Sequence, residues 1–209
     1  MGQGLIYGKL EETELKLNPK EVAARLNTEV GFTNALVQQC ETELRKALDC
    51  RYAATMVLVS FPQEDVVELD GVLVKSHSLY RNLLGCTQAF LFAVTLGMGT
   101  ERLLNRLSML SGAEFFMTDA LSSAMAEAAC DAAEEKIRDG FATRPRFSPG
   151  YGDLSLEVQP MLLGRIQGQK LLGITLGASY LMSPMKSITA IMGVYHEDKR
   201  CDSEQASLL

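Results

Sequence analysis

The chain has 209 residues, of which 47% are hydrophobic and 22% are charged, and its formal net charge is -6. This length and balance predict one soluble globular domain with a sizeable core rather than two small domains. The acidic charge and the lack of a long basic run argue against a nucleic-acid surface, and no apolar run approaches the ~20 residues of a membrane span.

The first fifty residues predict two helices. The first begins at Asn18-Pro19, a capping residue followed by a proline suited to the first helical position, and it runs to about Leu26. The second is capped by Thr33 and continues through Leu48, with apolar residues at helical intervals. The single domain is thus divided into a helical N-terminal part, a core and a tail, with bounds 1–50, 51–195 and 196–209.

Strand patterns dominate the next part of the chain. Three segments are typical of β-structure: a buried strand at 52–61, a hairpin at 66–74 and a second buried strand at 89–97. Asp70-Gly71 suits the type I′ turn of the hairpin. Ser76 and Ser78 precede a short helix that ends near Gly85.

Helices and strands alternate less regularly in the last half. A helix is predicted over 100–110, and a long alanine-rich helix over 113–139 is closed by Gly140. Ser155 or Asp153 is expected to begin a further helix over 156–163. The remaining apolar segments predict two strands, at 171–177 and 187–194. Because strands come in groups rather than alternating strictly with helices, the pattern favours an α+β fold.

The cysteines and histidines do not form a recognisable framework. Five cysteines are an odd number, and no Cys-x-x-Cys pair occurs, so free thiols in a reducing compartment are expected. The histidines, His77 and His196, form no metal-ligand motif, and we expect no metal site. The N-terminal segment lacks the apolar core of a signal peptide, which predicts a cytoplasmic protein.

Two common site motifs are incomplete. Gly97 and Gly99 lie between a predicted strand and a helix, where a nucleotide phosphate can bind, but Arg102 occupies the third glycine position of G-x-G-x-x-G. A tight turn is therefore the simpler interpretation. No G-x-S-x-G elbow exists, and Ser183-Pro184 and Ser187 are interpreted as turn residues.

A polar stripe follows one side of the long predicted helix. Its members fall at helical spacing: Glu127, Asp131, Glu134 and Arg138. The ordinary interpretation is a solvated helix face. The stripe nevertheless ends shortly before Arg146, so a reversal of the chain at Gly140 would bring Glu127 and Arg146 within reach of one ligand.

The segment RPRFSPGYGDLSLEVQP, residues 144–160, is unusually stiff for a loop. Pro145 and Pro149 each fix a backbone angle, and Gly150 permits a conformation that other residues avoid. The segment therefore holds its side chains in a defined arrangement.

Three side chains in and near this loop suit a zwitterionic amino acid that carries an additional positive charge. Arg146 can bind a carboxylate with two hydrogen bonds, and Glu127 can bind an ammonium group. Tyr151 offers a ring face to a cation. The alternative is a structural loop, whose arginine pairs with a surface glutamate and whose tyrosine fills the core.

The run from Arg146 to Gly150-Tyr151 resembles the R-x-x-x-G-Y signature of the reactivation domain of cobalamin-dependent methionine synthase. It is similar in particular to free-standing forms of that domain, which continue with Gly-Asp and a helix like LSLEVQ. Upstream, AEAACDAAEEKIR at 126–138 is similar to the Ala-Glu-Ala helix of that family. Downstream, residues 171–194 resemble its Pro-x-x-Ser strand region, so the resemblance extends from about residue 50 to 195.

This resemblance implies a curved, mostly antiparallel sheet flanked by helices, in a helmet-like α+β domain. It also implies a binding site for S-adenosylmethionine, presented to cobalamin that a partner protein carries. A flavodoxin-like donor supplies one electron to inactive cob(II)alamin, and methylation then restores the working cofactor. The domain contributes mainly positioning, while the cofactor supplies the reactive atom.

The resemblance also assigns roles to individual residues. Arg146 would hold the methionyl carboxylate, and Glu127 would bind the methionyl end, through its ammonium group. The backbone around Ser148 would contact the ligand, and Gly150 belongs to the same binding loop. Tyr151 would lie between the ligand and the corrin.

The sequence departs from the family pattern at three places. Gly140 stands where long family members have an acidic residue six positions before the arginine, and their N-terminal aspartate has no counterpart here. Free-standing relatives often end in a cysteine cluster, whereas this chain has Cys201 followed by DSEQASLL.

Two main hypotheses follow. The leading one is an accessory unit that binds S-adenosylmethionine and reactivates a cobalamin-dependent methionine synthase or another corrinoid protein, as a component of that methyltransferase. The alternative is a docking module that has lost the ligand, which the glycine at position 140 favours and an Arg146–Glu127 pair would indicate. An unrelated small-molecule binder that uses the same loop is a third hypothesis.

Overall fold

A computed structural model describes residues 4–26 and 35–195, which form eight strands and seven α-helices. The strands are β1 (Ile6–Lys9), β2 (Arg51–Gln63), β3 (Val66–Leu69), β4 (Val72–Lys75), β5 (Gln88–Thr95), β6 (Thr175–Leu176), β7 (Met182–Ser183) and β8 (Ser187–Val194). The helices are α1 (Pro19–Leu26), α2 (Ala35–Ala47), α3 (His77–Leu83), α4 (Met98–Leu110), α5 (Gly112–Arg138), α6 (Gln159–Arg165) and α7 (Gly168–Leu172). Two short 3-10 helices cover Glu12–Glu14 and Leu156–Val158.

The main sheet is antiparallel at every strand pair. Its order is β4-β3-β2-β5-β8, and β1 pairs with the first part of β2. The long strand β2 pairs with β5 through its first half, whereas its second half carries a bulge and pairs with β3. Strands β6 and β7 form a separate two-stranded sheet. The mostly antiparallel sheet with flanking helices agrees with the α+β class expected from the sequence.

Both faces of the sheet are covered, which explains why β5 lacks a polar alternation. On one face Phe90 and Phe92 belong to a core that includes Leu121 and Met125 of α5. On the other face Leu91 belongs to a second core that includes Leu162 of α6. A strand buried on both faces reads as a continuous apolar run.

Helix α5 is the longest element and supports the site described below. Ser111 caps its N-terminus by accepting a hydrogen bond from the Glu114 N–H. Its buried side is rich in alanine, which lets neighbouring elements approach its backbone closely. The helix ends at Arg138, and Asp139 and Gly140 both have positive φ angles there, so the predicted termination near Gly140 is confirmed.

Two sequence predictions of local structure are wrong. Residues 1–50 are not entirely helical, because β1 pairs with β2; a four-residue strand is too short to give a periodic signal. The predicted strand at 171–177 is helical through Leu172, and only β6 remains extended. A short apolar run suits a helix or a strand equally well. Here Leu172 is buried in the core on the α6 side of the sheet.

Further predictions concern the hairpin, the cap of α3, the cysteines and membrane-spanning helices. The hairpin around Asp70-Gly71 is confirmed, and Ser76 caps α3 by accepting a hydrogen bond from the Leu79 N–H. Four cysteines are buried free thiols: Cys40, Cys50, Cys86 and Cys130. Thr33, His196 and Cys201 lie outside the described residues. No helix in the described part of the chain is long and apolar enough to cross a membrane.

Candidate ligand-binding site

The first part of the stiff segment lies along the free edge of β8. Phe147 and Ile191 exchange both backbone hydrogen bonds, at 2.8 and 2.9 Å, and the Arg144 N–H donates to the Gly193 carbonyl. Phe147 packs on the α6 side of the sheet. Because side chains alternate along an extended chain, Arg146 faces the opposite side, where α5 lies.

A tight turn follows at the glycine of the signature. Gly150 has a φ of +91°, a conformation that side chains disfavour. Its N–H donates to the Leu154 carbonyl at 2.8 Å, and the Tyr151 N–H donates to the Ser148 carbonyl. This turn fixes the backbone around Ser148 and directs Tyr151 outward, where the residue is 66% exposed. The alternative in which Tyr151 fills the core is therefore wrong.

The far end of the loop is attached to α3 by Asp153. Its carboxylate accepts hydrogen bonds from the Ser76 hydroxyl at 2.7 Å, the His77 N–H at 2.7 Å and the Ser78 N–H at 3.0 Å. The Ser76 hydroxyl, followed by the backbone N–H groups, lowers the pKa of Asp153. Asp153 thus does not begin the helix that follows it. Ser155 begins the 3-10 helix that leads into α6.

Arg146 is held by three carboxylates of α5. Its Nη1 donates to Asp131 Oδ1 at 2.7 Å and to Glu134 Oε1 at 2.5 Å, and its Nη2 donates to Glu127 Oε2 at 2.9 Å. Burial disfavours the charge on Arg146, but the hydrogen bonds to Glu134 and Asp131 outweigh burial and raise the pKa of the guanidinium. The loop and α5 are therefore joined by a charged cluster.

This cluster corrects the interpretation of the polar stripe as a solvated helix face. The Glu134 side chain is only 7% exposed, because the loop covers it, whereas that of Asp131 is 70% exposed. The second oxygen of Glu134 accepts a hydrogen bond from Arg138 Nη2 at 2.6 Å. Glu134 is therefore enclosed between two arginines.

The guanidinium of Arg146 still has donors to offer. A guanidinium carries five N–H groups, and three of those of Arg146 have acceptors among the described residues. The Nε–H and one Nη2–H remain. The Arg146–Glu127 pair alone thus does not distinguish the two main hypotheses, because Arg146 can hold Glu127 and a ligand carboxylate together.

A cavity of about 380 Å³ opens beside Arg146, and we call it the Arg146 cavity. Four predicted site residues line it: Glu127, Arg146, Ser148 and Tyr151. Gly150 is not in the lining and acts through the turn. The structure thus brings the predicted residues together around one concave space.

Five further lining residues of the Arg146 cavity were not predicted from the sequence. They are Gln159, Met182 and residues 187–189. Ser187 is the first residue of β8 rather than a turn residue, and its hydroxyl donates to the Pro184 carbonyl at 2.7 Å. The sequence signal that could have indicated this part of the lining is the alternation of polar Ser187 and Thr189 within an otherwise apolar strand.

The turn that carries Met182 is attached to α4. The Glu101 carboxylate accepts a hydrogen bond from the Met185 N–H at 3.0 Å. Ser183-Pro184, predicted as turn residues, lie at the end of β7 and directly after it. The cavity is therefore held by contacts to α3, α4 and α5.

The sequence matches no protein-family model and has no significant match among curated proteins. The fold is nevertheless similar to that of a solved structure, the MetH reactivation domain bound to AdoHcy. The TM-score is 0.71, and the similarity covers 95% of this chain and 80% of that one. The sequence identity is 13%, so the similarity establishes a shared fold. The fold expected from the resemblance in the loop, helix and strand motifs is thereby confirmed.

Proposed function

We propose that the chain binds S-adenosylmethionine in the Arg146 cavity and serves in the reactivation of a cobalamin-dependent methionine synthase or another corrinoid protein. One observation carries the proposal. A partly free guanidinium, a carboxylate and an exposed tyrosine surround a single cavity, in the fold of a domain whose solved structure has AdoHcy bound.

The residues of the cavity fit this ligand in charge. The Nε–H and the remaining Nη2–H of Arg146 suit the methionyl carboxylate. Glu127 Oε1 has no donor among the described residues and suits the ammonium group.

The cavity also fits in size and apolar character. Its volume of about 380 Å³ lies within the range of about 300–1,000 Å³ typical of small-molecule sites. Met182 and Ile188 contribute apolar surface to the lining, on which a nucleoside can pack. The expected orientation places the methionyl end at Arg146 and the nucleoside against these two side chains.

The proposed partner surface surrounds the cavity. Tyr151, Leu181 and Met185 are exposed beside residues that line it, and exposed apolar groups in one area favour a protein contact. In the proposed complex, cobalamin carried by the partner provides the metal that receives the methyl group, and a flavodoxin-like donor provides the electron. The chain itself holds the ligand, directs its methyl group to the opening and shields it from water. We place this activity in the cytoplasm.

Calorimetric titration with S-adenosylmethionine tests the proposal. Arg146→Ala should weaken binding about 10–100-fold, the expected effect of losing a charge-assisted pair. Arg144→Ala is the matched control, since Arg144 lies on the same segment but contacts the Tyr195 ring and the Leu84 carbonyl. It should change the dissociation constant less than twofold.

The alternative function is the docking module without ligand, which Gly140, in place of the acidic residue of the family pattern, favours. Wild-type protein that does not bind S-adenosylmethionine but co-elutes with a corrinoid protein would support this alternative. Equal losses of affinity in both arginine variants would contradict the assigned site. Thermal unfolding of each variant establishes that it is folded.

A further inference from the structure

The lining of the Arg146 cavity contains a buried side-chain amide. Gln159 is the first residue of α6 and is 4% exposed, yet it lines the Arg146 cavity. Its Oε1 accepts a hydrogen bond from the Thr189 hydroxyl at 3.0 Å. Thr189 is itself buried in β8. A buried polar pair at this position fixes the orientation of the amide.

The amide nitrogen of Gln159 remains available. Its Nε2 has no acceptor among the described residues, although a carboxamide carries two N–H donors. Among the described residues, Nε2 is not one of the fully buried atoms without a partner, so it is accessible, and Gln159 lines the cavity. With Oε1 held by Thr189, Gln159 presents a fixed donor to whatever occupies the cavity.

The backbone of Thr189, which holds this amide, lies away from that of Arg146. Phe147 is opposite Ile191, so Arg146 and Thr189 lie on opposite sides of that pair, about three residues apart along β8. At about 3.3 Å per residue, these two backbone positions are about 10 Å apart. The apolar side chains of Met182 and Ile188 line the same cavity. A donor in a cavity with apolar lining suits the edge of a flat heterocycle.

We propose that Gln159 determines specificity for a purine by donating Nε2–H to a ring nitrogen of the adenine. Thr189 acts as a positioning residue, because its hydroxyl holds the amide in the orientation that directs Nε2 into the cavity. This inference rests on the proposed function and names the residue that recognises the nucleoside half of the ligand.

Deaza analogues of S-adenosylhomocysteine test the inference. The 1-, 3- and 7-deaza compounds each replace one ring nitrogen by C–H, which removes a single acceptor. We expect one of them to bind the wild-type protein about tenfold more weakly than S-adenosylhomocysteine. In Gln159→Met, of similar shape but without the donor, that difference should disappear.

Fragments of the ligand provide the matched comparison. Gln159→Met should weaken 5′-methylthioadenosine, which lacks the amino acid, and leave S-methylmethionine, which lacks the nucleoside, unchanged. Arg146→Ala should show the reverse pattern. Thr189→Val keeps the shape of the side chain at position 189 and leaves the Gln159 amide present. It should therefore reduce the discrimination among the deaza compounds only in part.

The outcomes separate this inference from the proposed function. Equal binding of all three deaza compounds to wild-type protein, or discrimination that persists in Gln159→Met, would overturn the role of Gln159 while S-adenosylmethionine binding stands. Failure of the wild-type protein to bind S-adenosylmethionine and S-adenosylhomocysteine would remove both proposals. If Gln159→Met does not fold, binding of the deaza compounds is measured with Thr189→Val instead. Discrimination as strong as that of the wild-type protein would then contradict the positioning of the Gln159 amide by Thr189.

Discussion

Glu134 and Asp131 provide a matched test of how burial strengthens the charged cluster. Both carboxylates accept a hydrogen bond from Arg146 Nη1, but the Glu134 side chain is 7% exposed and that of Asp131 is 70% exposed. Glu134→Gln and Asp131→Asn remove the same charge and keep the shape. Any difference in their effects therefore reports the surroundings of the two carboxylates.

The expected magnitudes follow from the contacts. An amide at position 134 can accept a hydrogen bond from only one of Arg138 and Arg146, and it presents its NH₂ to the other. Losing one charge-assisted bond costs about 1.5–3 kcal/mol, and we take about 2 kcal/mol because both arginine side chains keep contact with water. Asp131→Asn should cost about 0.5 kcal/mol or less, as expected for an exposed ion pair.

Thermal unfolding followed by circular dichroism measures the difference. For a domain of this size, about 2–4 °C of Tm corresponds to 1 kcal/mol, so Glu134→Gln should lower Tm by about 4–8 °C and Asp131→Asn by about 2 °C or less. In an Arg146→Ala background the cost of Glu134→Gln should decrease, since one of the two arginines is gone. Equal Tm shifts for the two single variants would refute the argument that burial of Glu134 strengthens this contact.

Two further predictions concern the attachment of the loop to α3. Hydrogen bonds lower the folded-state pKa of Asp153. The stability that its carboxylate contributes is therefore fully present above the ordinary carboxyl pKa of about 4, and it is lost as the pH falls through the lowered pKa. Asp153→Asn should therefore lower Tm at pH 7 and flatten the loss of Tm between pH 4 and pH 2; an unchanged acid profile would contradict this role. Gly152→Ala should lower Tm, because its φ is +56° and the new Cβ would lie 2.6 Å from Ser78 Oγ. The control Gly164→Ala, in α6 with no heavy atom within 4 Å, should leave Tm unchanged or raise it; similar losses in the two variants would argue against the close approach of the loop to α3.

Features that depend on neighbours in sequence were predictable. The turn at Gly150 follows from local backbone conformation, and the polar stripe of α5 follows from the 3.6-residue repeat of a helix. The proximity of Glu127 to Arg146 required only a reversal of the chain after a long helix. For the same reason the strands β2, β5 and β8 were recognisable from continuous apolar runs.

Features that depend on distant contacts were decided by the tertiary structure. Asp153 resembles a local helix cap in sequence, yet it accepts hydrogen bonds from residues 75 to 77 positions away. Gln159 and Thr189 lie 30 positions apart and meet only because α6 packs on β8. Whether Glu134 faces water or an arginine depends on which segment covers α5. Sequence periodicity indicates which residues share a face of an element. The free energy of a buried polar group, however, depends on its hydrogen-bond partner, and tertiary packing determines which partner that is.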